Sequence, residues 1–257
     1  MVDLSGLVIV NTRPANRAQA LTTELVATGA TVAALPLLEI QPLALTAEQR
    51  QWLIDIDYYR WVFVVSPTAA ELGLAHLGNY WPQWPIDLHW LAVGETTAEV
   101  LRHALLEPIV PAEESSEGLL KLPVLQQLQH GDRLLVWRGE GGRNLVRDNL
   151  QKQGVRVDYL NLYQRQLPAN SHHQWLLLRA QQLPDVVILT SGEALNHWLT
   201  LVGDDAAHIA AVVVSPRLAV LAQNAGLKTC IIAASTRGHD IIEAIGTWQN
   251  SLKHDIQ

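Results

Sequence analysis

The chain has 257 residues, 49% of them hydrophobic, and a formal net charge of −7. That length can bury one large core or two modest ones, and an acidic balance with no basic block excludes the broad phosphate-binding surface a nucleic-acid partner needs. Cys230 is the only cysteine, so an intrachain disulfide is excluded, a reducing compartment is indicated, and the thiol reads as a small buried apolar residue.

The opening, MVDLSGLVIVNTRP, lacks the basic start and the apolar run of a signal sequence, and no uncharged apolar stretch reaches the ~18 to 20 residues of a membrane span. A cytoplasmic protein with no membrane partner is expected. From there one grammar repeats: a short β-branched run, a turn of Ser, Thr, Gly, Pro or Asn, then an amphipathic helical pattern, as in VIVNTRPANRAQAL and VVILTSGEALNHWL. Strands are predicted at 7–11, 31–37, 61–65, 90–93, 108–111, 133–138, 155–163, 186–190, 211–214 and 229–233. Continuous apolar strands alternating with helices mean parallel sheets covered on both faces, so the fold class is α/β.

The five runs between 61 and 163 make one set; the other five come from both chain ends. Internal similarity supports the division: LVATGATVAALPL at 25–37 lies over LQKQGVRVDYLNL at 150–162 with a constant offset of 125, which also lays the turn around Ser66 on that around Ser191. The two lobes read as permuted copies. A discontinuous first α/β domain, 1–37 plus 168–257, and a second, 42–160, are therefore expected, with inter-domain linker strands at 35–43 (LPLLEIQPL) and 158–168 (DYLNLYQRQLP). A double crossing makes a hinge, and the cleft beside it a ligand site.

In parallel α/β sheets, ligands bind at the carboxyl ends of strands, where helix N-termini present unpaired N–H groups and a positive dipole. Those ends lie here at 11–14, 66–68, 94–97, 113–117, 138–143, 190–192, 215–217 and 235–239. Candidate binding residues in them are Arg13, Ser66, Gly94, Thr96, Thr97, Gly139, Gly141, Ser191 and Ser215. The same residue types also serve simply as N-caps. The glycine cluster in VWRGEGGRNLV is not a phosphate loop: Asn144 stands where G-x-G-x-x-G needs its third glycine, G-K-S and G-K-T are absent, and Glu140 would repel a pyrophosphate. Positive backbone dihedrals alone would also account for those glycines. A G-x-S-x-G elbow is missing, Asn11 and Thr12 stand where a response regulator carries acids, and the ten scattered histidines form no metal-ligand spacing.

Taken in order, the turns resemble the uroporphyrinogen-III synthase family. The matching stretches are VNTRPANRAQAL with GATVAALPLLEIQP, VFVVSPTAAE, LAVGETTAEVL, RGEGGRNLVRDNLQKQGVRVDYLNLYQR, VVILTSGEALN and VSPRLAVLAQNAGL. Each is weak alone; their order, spacing and near-complete coverage of the chain are specific. The resemblance implies two similar parallel-sheet, flavodoxin-like domains joined by a two-stranded β linker. It implies a monomeric lyase of haem biosynthesis without cofactor or metal, closing hydroxymethylbilane to uroporphyrinogen III with loss of water and inversion of ring D. Eight substrate carboxylates would be held by many turn amides in place of a basic patch.

Residue by residue, Tyr163 in LYQR matches the family's cleft-facing tyrosine, a phenol able to give a proton to the departing hydroxyl, or else an aromatic that packs the hinge. Ser66 in VVSP and Thr97 in GETTA match cleft positions and read as positioning or capping groups. Glu95 and Glu140 either oppose substrate carboxylates or stabilise a cationic intermediate. The alternative to an enzyme is a cytoplasmic two-lobed binding or sensor module, though no helix-turn-helix with a basic flank accompanies it.

Overall fold

The protein, described over residues 2–254 of a computed structural model, carries ten strands. They are β1 (Val8–Asn11), β2 (Thr31–Ala34), β3 (Glu39–Pro42), β4 (Trp61–Val64), β5 (His89–Ala92), β6 (Arg133–Gly139), β7 (Arg156–Gln166), β8 (Val186–Leu189), β9 (Ala210–Val213) and β10 (Cys230–Ile232). Two compact units result, one holding the described residues up to Glu39 and from Gln166 onward, the other Ile40–Arg165. Each is an α/β layer structure around one five-stranded sheet.

In the first unit the sheet runs β2-β1-β8-β9-β10, all in parallel register. Counted within the unit this is the order 2-1-3-4-5 of flavodoxin-like folds. The second sheet runs β5-β4-β6-β7-β3. The 125-residue offset holds in the registers: Val8↔Thr31 in the first sheet becomes Arg133↔Arg156 in the second, and Ile9↔Val186 becomes Leu134↔Trp61. The two sheets thus share one pairing scheme while the chain enters them at different points.

Apolar four-residue runs become strands here because both their faces are covered. Along β4, Val62 and Val64 enter one hydrophobic cluster while Trp61 and Phe63 enter another; along β8, Val187 and Leu189 separate in the same way from Val186 and Ile188. Alternation over a strand with helices on either side produces this.

Three local expectations change. Residues 108–111 form no strand, only a single parallel bridge, Leu91↔Ile109; Pro108 and Pro111 remove the ladder donors on either side of it. The fifth place in that sheet goes to β3, within the stretch expected to be a linker, and β7 continues to Gln166. Cys230 is half-buried rather than buried because β10 is an edge strand, and burial pushes its thiol upward.

A polar tie closes the second unit. Buried Tyr59 donates its hydroxyl to Asp158 Oδ2 at 2.7 Å, and Arg156 Nε donates to the same oxygen at 2.8 Å. Burial first, then the acceptor carboxylate, holds the phenol well above its ordinary 10.0. A raised folded-state pKa stabilises fully below the unfolded value and is lost as pH climbs above it. Stability should therefore fall above about pH 10. Tyr59→Phe should cost about 1.5–3 kcal/mol at neutral pH, the range for hydrogen bonds to charged groups, and remove part of the alkaline loss. Urea unfolding at about pH 8 and about pH 10.5 measures both effects.

Candidate active site

The site grows from the ladder between β6 and β7. Pairing is regular to Arg138↔Asn161 and then jumps to Gly139↔Tyr163, leaving Leu162 as the extra residue of a bulge. Bulges bend a strand and re-aim side chains. Leu162 carbonyl oxygen instead accepts the amide of Leu43 at 2.9 Å, beside β3. Tyr163 is left with its ring packed on the backbone of Gly139, 2% exposed, and its hydroxyl 3.0 Å from Ser66 Oγ.

Ser66 is placed by the end of β4. Its backbone is extended, Pro67 opens the following helix Pro67–Leu77 with the φ a first turn needs, and Ser66 Oγ accepts the amide of Ala69 at 3.1 Å. With one lone pair so engaged, the hydroxyl can still exchange a hydrogen bond with the phenol in either direction.

Beside Tyr163 lies a pocket of about 180 Å³, lined by residues 138–143 and by Tyr159, Tyr163 and Arg165 of β7. Whole drug-sized ligands fill roughly 300–1,000 Å³, so this pocket has room for a small group only. The glycines of the turn have two different reasons. Gly141 and Gly142 adopt φ of +79° and +82°, whereas Gly139 is required by close approach, since a Cβ there would lie 2.6 Å from Tyr163 Cε2. Arg143 pairs with Glu117 at the exposed rim and holds that carboxyl below its usual range; such a pair adds little stability. The Arg165 guanidinium sits 5.7 Å from the centroid of the Tyr163 ring.

In the same unit, Gly94 caps the helix Glu95–His103 without a side chain, and the amide of Glu95 donates to Glu114 Oε1 at 3.0 Å. An anion from a neighbouring loop thus already sits at that N-terminus. The Glu95 carboxylate is engaged by Arg102, whose hydrogen bond lowers its pKa. Thr96 is exposed. Thr97 is 1% exposed, and its Oγ1 has no hydrogen-bond partner among the described residues. Since an unmet buried hydroxyl is unfavourable, Thr97→Val should leave the thermal midpoint equal or higher; a fall of several degrees in calorimetry would show that the hydroxyl is satisfied within the fold.

The first unit carries the remaining candidates. Ser191 and Ser215 are N-caps, accepting the amides of Ala194 at 3.1 Å and Leu218 at 3.2 Å. Half-buried Arg13 donates to the carbonyl of Thr236. Asn11 and Thr12 are buried polar pegs: Asn11 Nδ2 donates to Ala18 oxygen at 3.1 Å and to Thr22 Oγ1 at 3.0 Å, and Thr12 donates to the carbonyl of Ile188. Within the second unit, then, Tyr163, Gly139 and Gly141 line one pocket and Ser66 reaches it only through the Tyr163 hydroxyl, while Gly94, Thr96 and Thr97 stand at the end of β5. Sequence reasoning did not single out Tyr159 or Arg165; a spacing of two from Tyr163 along an extended strand was the available signal for Arg165.

A family model described as Uroporphyrinogen-III synthase HemD matches residues 19–243. The uroporphyrinogen-III synthases of Escherichia coli and Salmonella typhimurium are each 30% identical to the chain, with 92% of it and 99% of each of them covered. A solved mutant uroporphyrinogen III synthase from Thermus thermophilus is similar with a TM-score of 0.62 at 16% identity, covering 97% of this chain and 100% of that one. The enzyme from Helicobacter pylori gives 0.59 at 15%, covering 94% and 99%; at such identities both speak to the fold. With the family model and full-length relatives agreeing over most of the sequence, the chain belongs to the uroporphyrinogen-III synthase family, the cyclising lyases of tetrapyrrole biosynthesis.

Proposed function

We propose that this chain closes hydroxymethylbilane to uroporphyrinogen III, and that Tyr163 protonates the hydroxyl that leaves. The C–O bond at the first ring breaks, the phenol proton goes to the departing oxygen to make water, and the pyrrole N–H proton passes to the phenolate, which restores the phenol and leaves a neutral azafulvene. The last ring attacks that carbon through its own substituted position, and the resulting spiro intermediate fragments and recloses with the ring inverted. A positioned proton donor contributes roughly 10²- to 10⁴-fold; the rest is geometry, the ends of a flexible chain held in one near-attack arrangement.

The observation that carries this reading is buried Tyr163, which lines a pocket of about 180 Å³ and whose hydroxyl lies 3.0 Å from Ser66 Oγ. Ser66, Gly94, Thr96, Thr97, Gly139 and Gly141 in the second unit, with Arg13, Ser191 and Ser215 in the first, would hold acetate and propionate arms through amides, hydroxyls and a guanidinium. In this reading the protein works as a cytoplasmic monomer with domains 1–37 plus 168–257 and 42–160. Its lone cysteine supports that location, and no helix among the described residues is long and apolar enough to cross a membrane.

The test is to incubate the pure protein with freshly made hydroxymethylbilane, oxidise, and separate the isomers. Type III product is expected. Type I alone, at the uncatalysed rate, would overturn the assignment.

A further inference from the structure

Arg138, the penultimate residue of β6, is 8% exposed. Its Nε donates to Gly139 oxygen at 3.0 Å and Nη1 to Arg143 oxygen at 3.4 Å. Nη2 is directed at Gly142 in the pocket wall, where an added Cβ would lie 2.9 Å from it. The guanidinium lies 4.5 Å from the centroid of the Tyr159 ring, and that of Arg147 lies 3.7 Å from the same ring, with a buried Nε that has no partner among the described residues. Two cations therefore share one aromatic ring. Neither forms an ion pair among the described residues, Glu117 is taken by Arg143, and Glu140 lines the pocket with its side chain exposed. A buried charge is unfavourable unless a counter-charge meets it.

We propose that Arg138 is the residue that receives one acetate or propionate arm of the substrate, its Nη2 and the Gly141–Gly142 turn forming a carboxylate subsite beside Tyr163. This rests on the function given above and adds to it a positioning residue. The 125-residue offset supplies a contrast: in the matching residue of the first sheet, Arg13, it is Nη2 that donates to a backbone carbonyl, that of Thr236. Arg138 keeps one arm of its fork toward a pocket that fits a single acid.

The test variant is Arg138→Met, which keeps the stem against Tyr159 and removes the charge and the fork. Expected is a rise in KM for hydroxymethylbilane of roughly tenfold to a hundredfold, the worth of one lost hydrogen bond to a charged group, with kcat within about threefold. Quenching of tryptophan fluorescence by uroporphyrin III should weaken by a similar factor. The thermal midpoint should hold or rise, because an unpaired buried charge is gone; a purely structural arginine would lower it. A wild-type KM in Arg138→Met overturns the inference. Should that variant not fold, Arg138→Lys carries the test: a charge without the fork should give an intermediate KM, and a wild-type value again overturns the inference. Wild-type protein run alongside separates the two readings. Failure to make type III product there sinks the function, whereas type III product with unchanged KM in the variants sinks only the role of Arg138.

Discussion

Replacing Tyr163 by Phe is expected to cut kcat roughly a hundredfold, the low end of what a positioned proton donor contributes, while the fold stays intact. Phe keeps the ring on Gly139 and beneath Arg165, so the packing that buries this position survives. What disappears is the hydroxyl 3.0 Å from Ser66 Oγ. Ser66 retains the amide of Ala69, so its own hydrogen bonding is only partly lost and stability should drop by about 0.5–1.5 kcal/mol. Spontaneous closure of the bilane gives the uninverted isomer, which makes the ratio of type III to type I an internal clock. As turnover slows toward the background rate, the type I share should rise. An aromatic that merely packs would leave kcat and that ratio at wild-type values in the Phe variant, and steady-state kinetics with isomer separation distinguishes the cases.

Much of this architecture was written in local pattern. Runs such as WVFV and VVIL announce doubly covered strands because a parallel sheet hides both faces of every central strand. A thirteen-residue similarity was enough to suggest the offset on which both sheets are registered. The edges were harder to read. EIQP, mostly exposed, offers no apolar run, yet β3 completes a sheet; Ile109 offers one and, between prolines, makes only a bridge. In the site, the turn types were legible and their partners were not. Glu114 reaches the amide of Glu95 across nineteen residues with no periodic signal, and nothing in GETTA tells that the Thr97 hydroxyl is buried with no hydrogen-bond partner among the described residues while Thr96 beside it is exposed. Contacts between elements distant in sequence fix those details.

Gly139→Ala tests the same principle from the backbone side, and it should impair the enzyme by moving Tyr163 without touching it chemically. The new methyl would lie 2.6 Å from Cε2, 2.7 Å from Cζ and 3.1 Å from Cδ2 of the Tyr163 ring. Real Cβ atoms do not approach so closely, and a ring that is 2% exposed cannot swing into solvent. Strand and ring must part instead, at the bulge where β6 and β7 already change register. Overpacking of this kind costs about 1–3 kcal/mol, and a displacement near 1 Å at a reacting group can cost roughly a hundredfold in rate. A kcat loss of that order is expected, together with a lowered urea midpoint. The two substitutions should not add. In Tyr163→Phe the proposed proton donor is already gone, so Gly139→Ala on that background should lower kcat little further while still reducing stability. Full additivity in kcat would mean that Gly139 acts on the reaction by a route other than the placement of Tyr163.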